Sequence, residues 1–463
     1  MWKRYLIHAR AVAEHAIKGQ DKIFDYGITL YAKVAMFMTH ILIADTDETI
    51  QMWLNLLQLT KKYNYGKSDS LLIANINTHL GVANIISNKI DSAKTYLNHA
   101  VSMYLIPPTK MTKKAHELIN ILRLIPLKKN NIPWLNEIKY DLGYALTQYG
   151  NLYNYSLGQY NEATLNYNKA LTFFNEIEDI HVVKYNKTDT LYNVGNAYVY
   201  LGDLILAEDV LKTAKKLADQ AYDGHQQQAI TYMALARFNH HIGAFNESNE
   251  LFKSAYNIMC TTFSKEHFML NTLKAELGRN AYMLGNITLA KELLEEALFH
   301  LNGLNFSYWR WFVTFYLGRV YEALGEHDKA LNFTKESLTI AKEHYKEKLH
   351  DSMNYQISQA ELWSNFKINK NFNLQYLEKA LQLNIQLFGK NHYQTARYHY
   401  FLGQTLYNKQ QVQQAINQYI MASTILKMEK VKHTNLVEFI QYDLQTIQKK
   451  LATLGHVELR NDN

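Results

Sequence analysis

A single cysteine, Cys260, in 463 residues excludes an internal disulfide framework and any paired-cysteine zinc or redox site. With no clear catalytic partner beyond a nearby His267, that lone thiol reads as a small buried side chain. Only 4 prolines and 19 glycines punctuate the chain, so most of its length must be regular structure with short connections. Long apolar runs are missing too: the strongest, Tyr26 to Asp45, is broken by Lys33 and His40 and does not read as a membrane span. The first twenty residues place Lys3, Arg4, His8, Arg10 and Glu14 among the apolar positions, unlike a signal peptide. A cytoplasmic, soluble protein is the expectation. Catalytic signatures are also absent: no Walker-type phosphate loop, no glycine fingerprint after a strand, no nucleophile elbow and no HExxH pair occur. The 19 histidines are scattered, and the adjacent His240 and His241 would point about 100° apart on a helix, which is wrong for chelation. The sequence therefore predicts no catalytic residue, no metal site, no cofactor and no enzyme activity.

What is present is an ordinary globular composition, 48% hydrophobic and 20% charged, with 34 tyrosines. The formal charge of +7 is confined to one end, because residues 1–130 hold 17 Lys and Arg against 9 Asp and Glu, and the remainder holds 32 against 33. The densest basic stretch, Lys110 to Lys129, is too modest to argue for nucleic acid and reads as a solvated face. All four prolines, Pro107, Pro108, Pro126 and Pro133, crowd one window, which predicts a junction at 107–133.

Downstream, one helical hairpin recurs. Leu201-Gly202 is followed by Leu204, Ala207, Leu211 and Ala214, and Leu284-Gly285 by Ile287, Ala290, Leu294 and Ala297, at identical offsets. Leu157-Gly158, Ile242-Gly243 and Leu324-Gly325 open three more copies, and Leu402-Gly403 leads to Ala415, Tyr419 and Ala422. Small residues let two helices approach closely, a glycine caps the first helix cheaply, and hairpins that cannot bury their faces alone must stack. The first small residue of the second helix recurs at Ala163, Ala207, Ser248, Ala290, Ala330, Asn373 and Ala415, at spacings of 44, 41, 42, 40, 43 and 42. A weaker copy runs through Leu80, Gly81, Ala93, Leu97 and Ala100, and a degenerate one ends at Ala380.

This pattern resembles the tetratricopeptide repeat, in the long-period form of kinesin light chains and of the peptide-pheromone receptors of Gram-positive bacteria. The stretch Leu387 to Ala396 is similar to the inter-repeat link of the kinesin-light-chain type. The implied fold is all-α, a right-handed α-solenoid. Residues 1–106 form an N-terminal helical region with one weak hairpin, and 134–434 form an array of about seven hairpins. Residues 435–463 form a capping helix, from about Asn435 to Leu454, and a frayed tail.

The resemblance also implies which residues face a concave groove. The position after the small residue of the first helix gives Asn196, Arg237, Arg279, Arg319 and Gln404. Neighbouring rows give Tyr192, Met233, Phe315 and Tyr400, and Val199, His240, Tyr282, Glu322 and Tyr407. Arginines roughly 10 Å apart on successive helices would reinforce one another's charge, and a guanidinium grips carboxylates and carbonyls through several donors. The competing reading is neutralisation by Glu276 for Arg279 and Glu322 for Arg319, at three-residue spacing. Around Phe306 to Tyr316 the aromatics are dense enough that most must be core. The functional expectation is a peptide- or protein-binding scaffold for a partner of acidic character, without a small-molecule substrate, nucleic acid or membrane span. The alternatives are a peptide-responsive receptor acting on an effector through its N-terminal helices, and a rigid assembly scaffold without a peptide ligand.

Overall fold

The computed structural model describes residues 2–18, 22–40, 46–62, 70–105, 134–177, 181–301, 307–344 and 389–428, with isolated positions at 119, 122, between 374 and 386, and at 445. Among the described residues there is no strand. The helices are α1 (Trp2–Lys18), α2 (Lys22–His40), α3 (Thr46–Lys62), α4 (Ser70–Ile86), α5 (Ile90–Tyr104), α6 (Trp134–Asn151), α7 (Tyr160–Asn175), α8 (His181–Leu201) and α9 (Leu204–Ala221). They continue as α10 (Gln226–His241), α11 (Phe245–Thr262), α12 (Phe268–Met283), α13 (Ile287–Leu301), α14 (Ser307–Ala323), α15 (His327–His344), α16 (Tyr393–Asn408) and α17 (Val412–Met428). The four prolines, Phe306, the Asn373 and Ala380 copy and the expected cap at 435–454 lie outside the described residues.

One local rule builds the described repeat turns, with one exception. The residue seven positions after the small residue of the first helix is left-handed: φ is 83° at Gly202, 86° at Gly243, 79° at Gly285 and 77° at Gly325. The next residue then donates its N–H to the carbonyl five before it, as Asp203 does to Tyr198 and Asn286 to Ala281, at 3.0 and 2.8 Å. This closes the helix with a Schellman-type turn. Asn88 and Gln410 occupy the same position with φ of 57° and 64°, where a side chain costs about 1–2 kcal/mol relative to glycine. Gly158, with φ of 63°, departs by one residue, because α6 runs on into a π-helical turn at Leu152–Leu157. Its closing bond, Gln159 N–H to the Tyr153 carbonyl at 2.9 Å, is correspondingly one residue wider.

The same frame sets the packing. A Cβ on Gly278 would lie 2.7 Å from Leu294 Cγ, one on Gly403 2.7 Å from Tyr419 Cε1, and one on Gly81 2.5 Å from Leu97 Cγ. In each case the large partner lies sixteen residues downstream, so the weak N-terminal copy, α4 with α5, obeys the frame of the array. Ala93, Leu97 and Ala100 are fully buried there, as are Ala290, Leu294 and Ala297 in α13.

The chain divides into two compact units, residues 1–197 and 198–463, with the boundary inside α8. In the first unit α4 is the central helix, buried almost all round and packed against α2, α3, α5 and α6. The fully buried Trp53 donates its indole N–H to Thr39 Oγ1 at 2.8 Å and stacks on His79 with ring centroids 4.8 Å apart. In the second unit neighbouring hairpins share their cores: one joins α10 and α11 to the start of α12, a second runs from α12 to α15, and a third holds α16 and α17. Cys260 is exposed rather than buried, because it follows the inward Met259 on α11 and so falls on the outer face.

Gly278→Val should lower stability by about 1–3 kcal/mol, since Leu294 sits under backbone that cannot retreat. A urea midpoint equal to that of the wild type would contradict the close-approach account.

Candidate functional site

Each first helix of a hairpin is sandwiched between its own second helix and the neighbouring hairpins, which leaves one narrow stripe for solvent. In α12 that burial runs from Leu270 through Gly278 and takes in Asn280 and Ala281, so Arg279 and Tyr282 are among the few side chains still partly open. Equivalent stripes meet across repeats in the second unit. The carboxylate of Glu276, itself 3% exposed, accepts the Arg237 Nε–H at 2.7 Å from α10 and lies 2.6 Å from a terminal nitrogen of Arg279. One buried acid therefore serves two of the three aligned arginines. Arg279 takes the neutralising partner foreseen for it, whereas Glu322 meets His327 at 2.9 Å.

The three arginines also lie on aromatic rings. Arg237 sits 5.8 Å from the Trp309 ring and Arg279 5.4 Å from Phe312, and Arg319 lies between Tyr282 and Phe315, at 5.4 and 5.7 Å. Such contacts are worth about 0.5–2 kcal/mol each, depending on desolvation. Of the expected groove aromatics, Phe315 and Tyr400 are 8% and 7% exposed and belong mainly to the packing. Tyr282 and Tyr407 are partly open, and Gln404 donates to the Tyr400 hydroxyl at 2.7 Å. Tyr308 stands out of the α14 aromatic cluster at 46% exposure, while Trp311 and Phe312 are buried.

A polar relay fixes His240. Ser248, where most copies have alanine, donates to the Ala236 carbonyl at 2.7 Å and accepts from Asn280 Nδ2 at 2.7 Å. The Asn280 carbonyl oxygen then meets His240 Nδ1. Burial, then the Arg279 charge, holds this imidazole well below its ordinary pKa. His241 is pushed down to about 3 by burial and then by the Arg397 charge, and His392 to about 4 by burial.

In the first unit, α8 carries Tyr192 and Asn196, both partly buried. The decisive residue there is one that the sequence rows omitted, Asp189. Burial raises its carboxyl to about 6, opposed by a hydrogen bond from Tyr192. Asn193 Nδ2 approaches it at 3.5 Å, and among the described residues no cation pairs with it. Its charge raises Tyr144 and Tyr185, the latter to about 12, after burial has done most of the work. Tyr155, 57% exposed, donates to Asn193 Oδ1 at 2.6 Å beside it. Asp189 and Arg397 both stand six residues before the small residue of their helix, Gly195 and Gly403, so extending the rows one more turn would have found them. Among the described residues no cluster of His, Cys, Asp and Glu could hold a metal ion, and no helix is long and apolar enough to cross a membrane.

A sequence model of the tetratricopeptide repeat matches residues 187–261, the stretch that holds α8 through α11. The hairpins of that stretch are tetratricopeptide repeats. No curated protein sequence matches the chain. Among solved structures, a Rap protein complexed with competence and sporulation factor aligns at a TM-score of 0.54 and 14% identity, over 92% of this chain and 99% of that one. The Rap conjugation gene regulator of plasmid pLS20, in complex with the Phr* peptide, gives 0.51 and 11%, over 88% and 96%. The apo quorum sensor NprR from B. thuringiensis gives 0.52 and 14%, over 81% and 97%. At such identities the likeness is one of fold, and it extends to the helices before the repeats.

Asp189 gives these repeats a pH signature. Its folded pKa of about 6 lies above the ordinary 3.8, so the folded chain binds more protons and stability falls as pH rises through that window. Asp189→Asn should match the wild type at pH 4 and exceed it at pH 8 by about 1–2 kcal/mol, after discounting ~1.4 kcal/mol per pKa unit for groove water. Urea midpoints at the two pH values test this, and an equal gain at both would refute it.

Proposed function

We propose that the chain is a non-enzymatic peptide-binding protein that takes an extended segment along the open stripe of its first helices. The observation that carries this reading is the cross-repeat contact of stripe residues: Arg237 with Glu276 and Trp309, Arg279 with Phe312, and Arg319 with Tyr282. Guanidinium groups held beside rings and partly open to water are preorganised donors for backbone carbonyls and carboxylates, so little side-chain freedom is lost on binding. A tetratricopeptide stripe of this kind uses side-chain donors for affinity and aromatic faces for apolar anchors.

The charge of the ligand follows from who is already paired. In the second unit Glu276 offsets much of the Arg237 and Arg279 charge, so a uniformly acidic partner has less to gain than three free arginines would offer. In the first unit Asp189, with no paired cation among the described residues and hydrogen-bonded by Tyr192, favours a basic group such as a lysine, an arginine or an N-terminal ammonium. A ligand of the first unit thus carries a basic position, and a ligand of the second an acceptor-rich one. The fold likeness to Rap proteins caught with peptides spans the N-terminal helices as well as the repeats, which supports the peptide-responsive receptor over the rigid scaffold.

Selection of peptides from a random phage-displayed library on the immobilised chain tests this. Enriched peptides should share a basic residue and bind Asp189→Asn at least about tenfold more weakly, a modest loss for one partner of a buried charge pair. Recovery of no peptide, or of peptides indifferent to both Asp189→Asn and Arg319→Ala, would remove the proposal.

A further inference from the structure

The first helices of two hairpins open in the same unusual way. Eleven residues before the small residue of α12 stands His267, and eleven before that of α10 stands His225. Each caps its helix with its own ring: Met269 donates its backbone N–H to His267 Nδ1 at 3.2 Å, and Gln227 donates to His225 Nδ1 at 3.1 Å. His392 occupies the same place ahead of α16, but burial holds it at a pKa of about 4. The second helices are capped differently. Asp203 accepts the Leu206 N–H at 3.1 Å at the start of α9, and Asn286 accepts the Leu289 N–H at 3.2 Å at the start of α13. Among side-chain caps, an imidazole is the kind that exchanges its lone pair for a proton near neutral pH.

What the His267 cap holds is the joint between two hairpins. Met269 and Leu270, in the first turn of α12, pack with Phe252, Met259 and Phe263 into the core of the preceding hairpin. The His267 ring stacks on Phe263, with centroids 3.9 Å apart and planes 14° apart. Protonation removes the acceptor, turns Nδ1 into a donor facing the Met269 N–H, and puts a positive charge at the positive end of the helix. Neighbouring charges do not offset this. Lys265 and Glu266 precede the ring in the link, His300 acts on Glu266 from the end of α13, and Lys274 further along α12 is paired with Glu296 at 2.6 Å. None of them moves the His267 pKa, which burial lowers. The folded chain therefore binds fewer protons here than the unfolded one, and stability is lost as pH falls below the ordinary 6.5.

We propose that His267 is a pH-sensitive clasp between successive hairpins: its protonation uncaps α12 and frees the first turn of that helix from the α10/α11 core, while the turns inside the hairpins stay closed. The clasp needs no ligand. It does bear on the stripe, because Glu276, Arg279 and Tyr282 stand on the same helix from its third turn onward. Acid thus loosens the anchorage of that helix without altering any stripe residue.

Hydrogen exchange of the full chain, read by mass spectrometry on peptides from the starts of α12 and α13 and corrected for the intrinsic rate, tests this at about pH 7.5 and about pH 5. In the wild type the opening of the first turn of α12 should rise about fivefold at the lower pH, the usual worth of one helix cap. The start of α13, capped by Asn286, should not respond. His267→Asn, whose amide caps at either pH, should hold the change within about twofold, and His267→Ala should be open at both. His267→Ser supplies a second neutral cap if circular dichroism shows the Asn variant unfolded. A pH response that survives in the neutral-capped variant, an equal response at α13, or a His267→Ala variant as closed as the wild type at the higher pH would each overturn the clasp.

Discussion

Everything in this chain depends on one close approach, in which a residue with little or no side chain on the first helix faces a large residue sixteen positions later on the second. At Gly278, Gly403 and Gly81 even a methyl group would intrude on Leu294, Tyr419 and Leu97. This contact sets the separation of the two helices, and the left-handed residue seven positions on sets their turn. With both fixed, the first helices are squeezed between neighbours on nearly every side. Only a single stripe of each remains for binding, so the functional surface is a by-product of how tightly the hairpins close.

The stripe is not neutral decoration. Burial makes charge expensive, so each charged group on it must find a partner, shift its protonation or wait for a ligand. Glu276 and Arg237 take the first course and His241 the second. Asp189 shows the third, since its carboxyl is raised by burial with no cation to offset it. The two units therefore offer opposite chemistry, an acid among tyrosines in one and arginines on aromatic rings in the other. The first unit therefore suits a basic group, and the second has less to offer a uniformly acidic partner than the aligned arginines alone suggested.

The hairpin frame was legible because it is local. Small residues, the turn glycine and the two inward alanines recur at fixed spacing, and each acts within about thirty residues of chain. Even the one irregular copy obeyed physical logic: an eight-residue step from Gly150 to Gly158 had to be absorbed, and the π-helical turn at Leu152–Leu157 absorbs it. Asn88 and Gln410 were harder to see, because the left-handed position there lacks the glycine that marks it elsewhere.

Sequence by itself thus determined the class of fold and the register of the hairpins. Tertiary structure alone decided the electrostatics of the open stripe. Arg237 meets Glu276 across 39 positions, and the Asn280 amide oxygen meets His240 across 40, in contacts set by how successive hairpins stack. Periodicity tells which face a side chain occupies, because that follows from the helix. Which charge stands opposite follows from the curvature of the stack, and no local spacing encodes it.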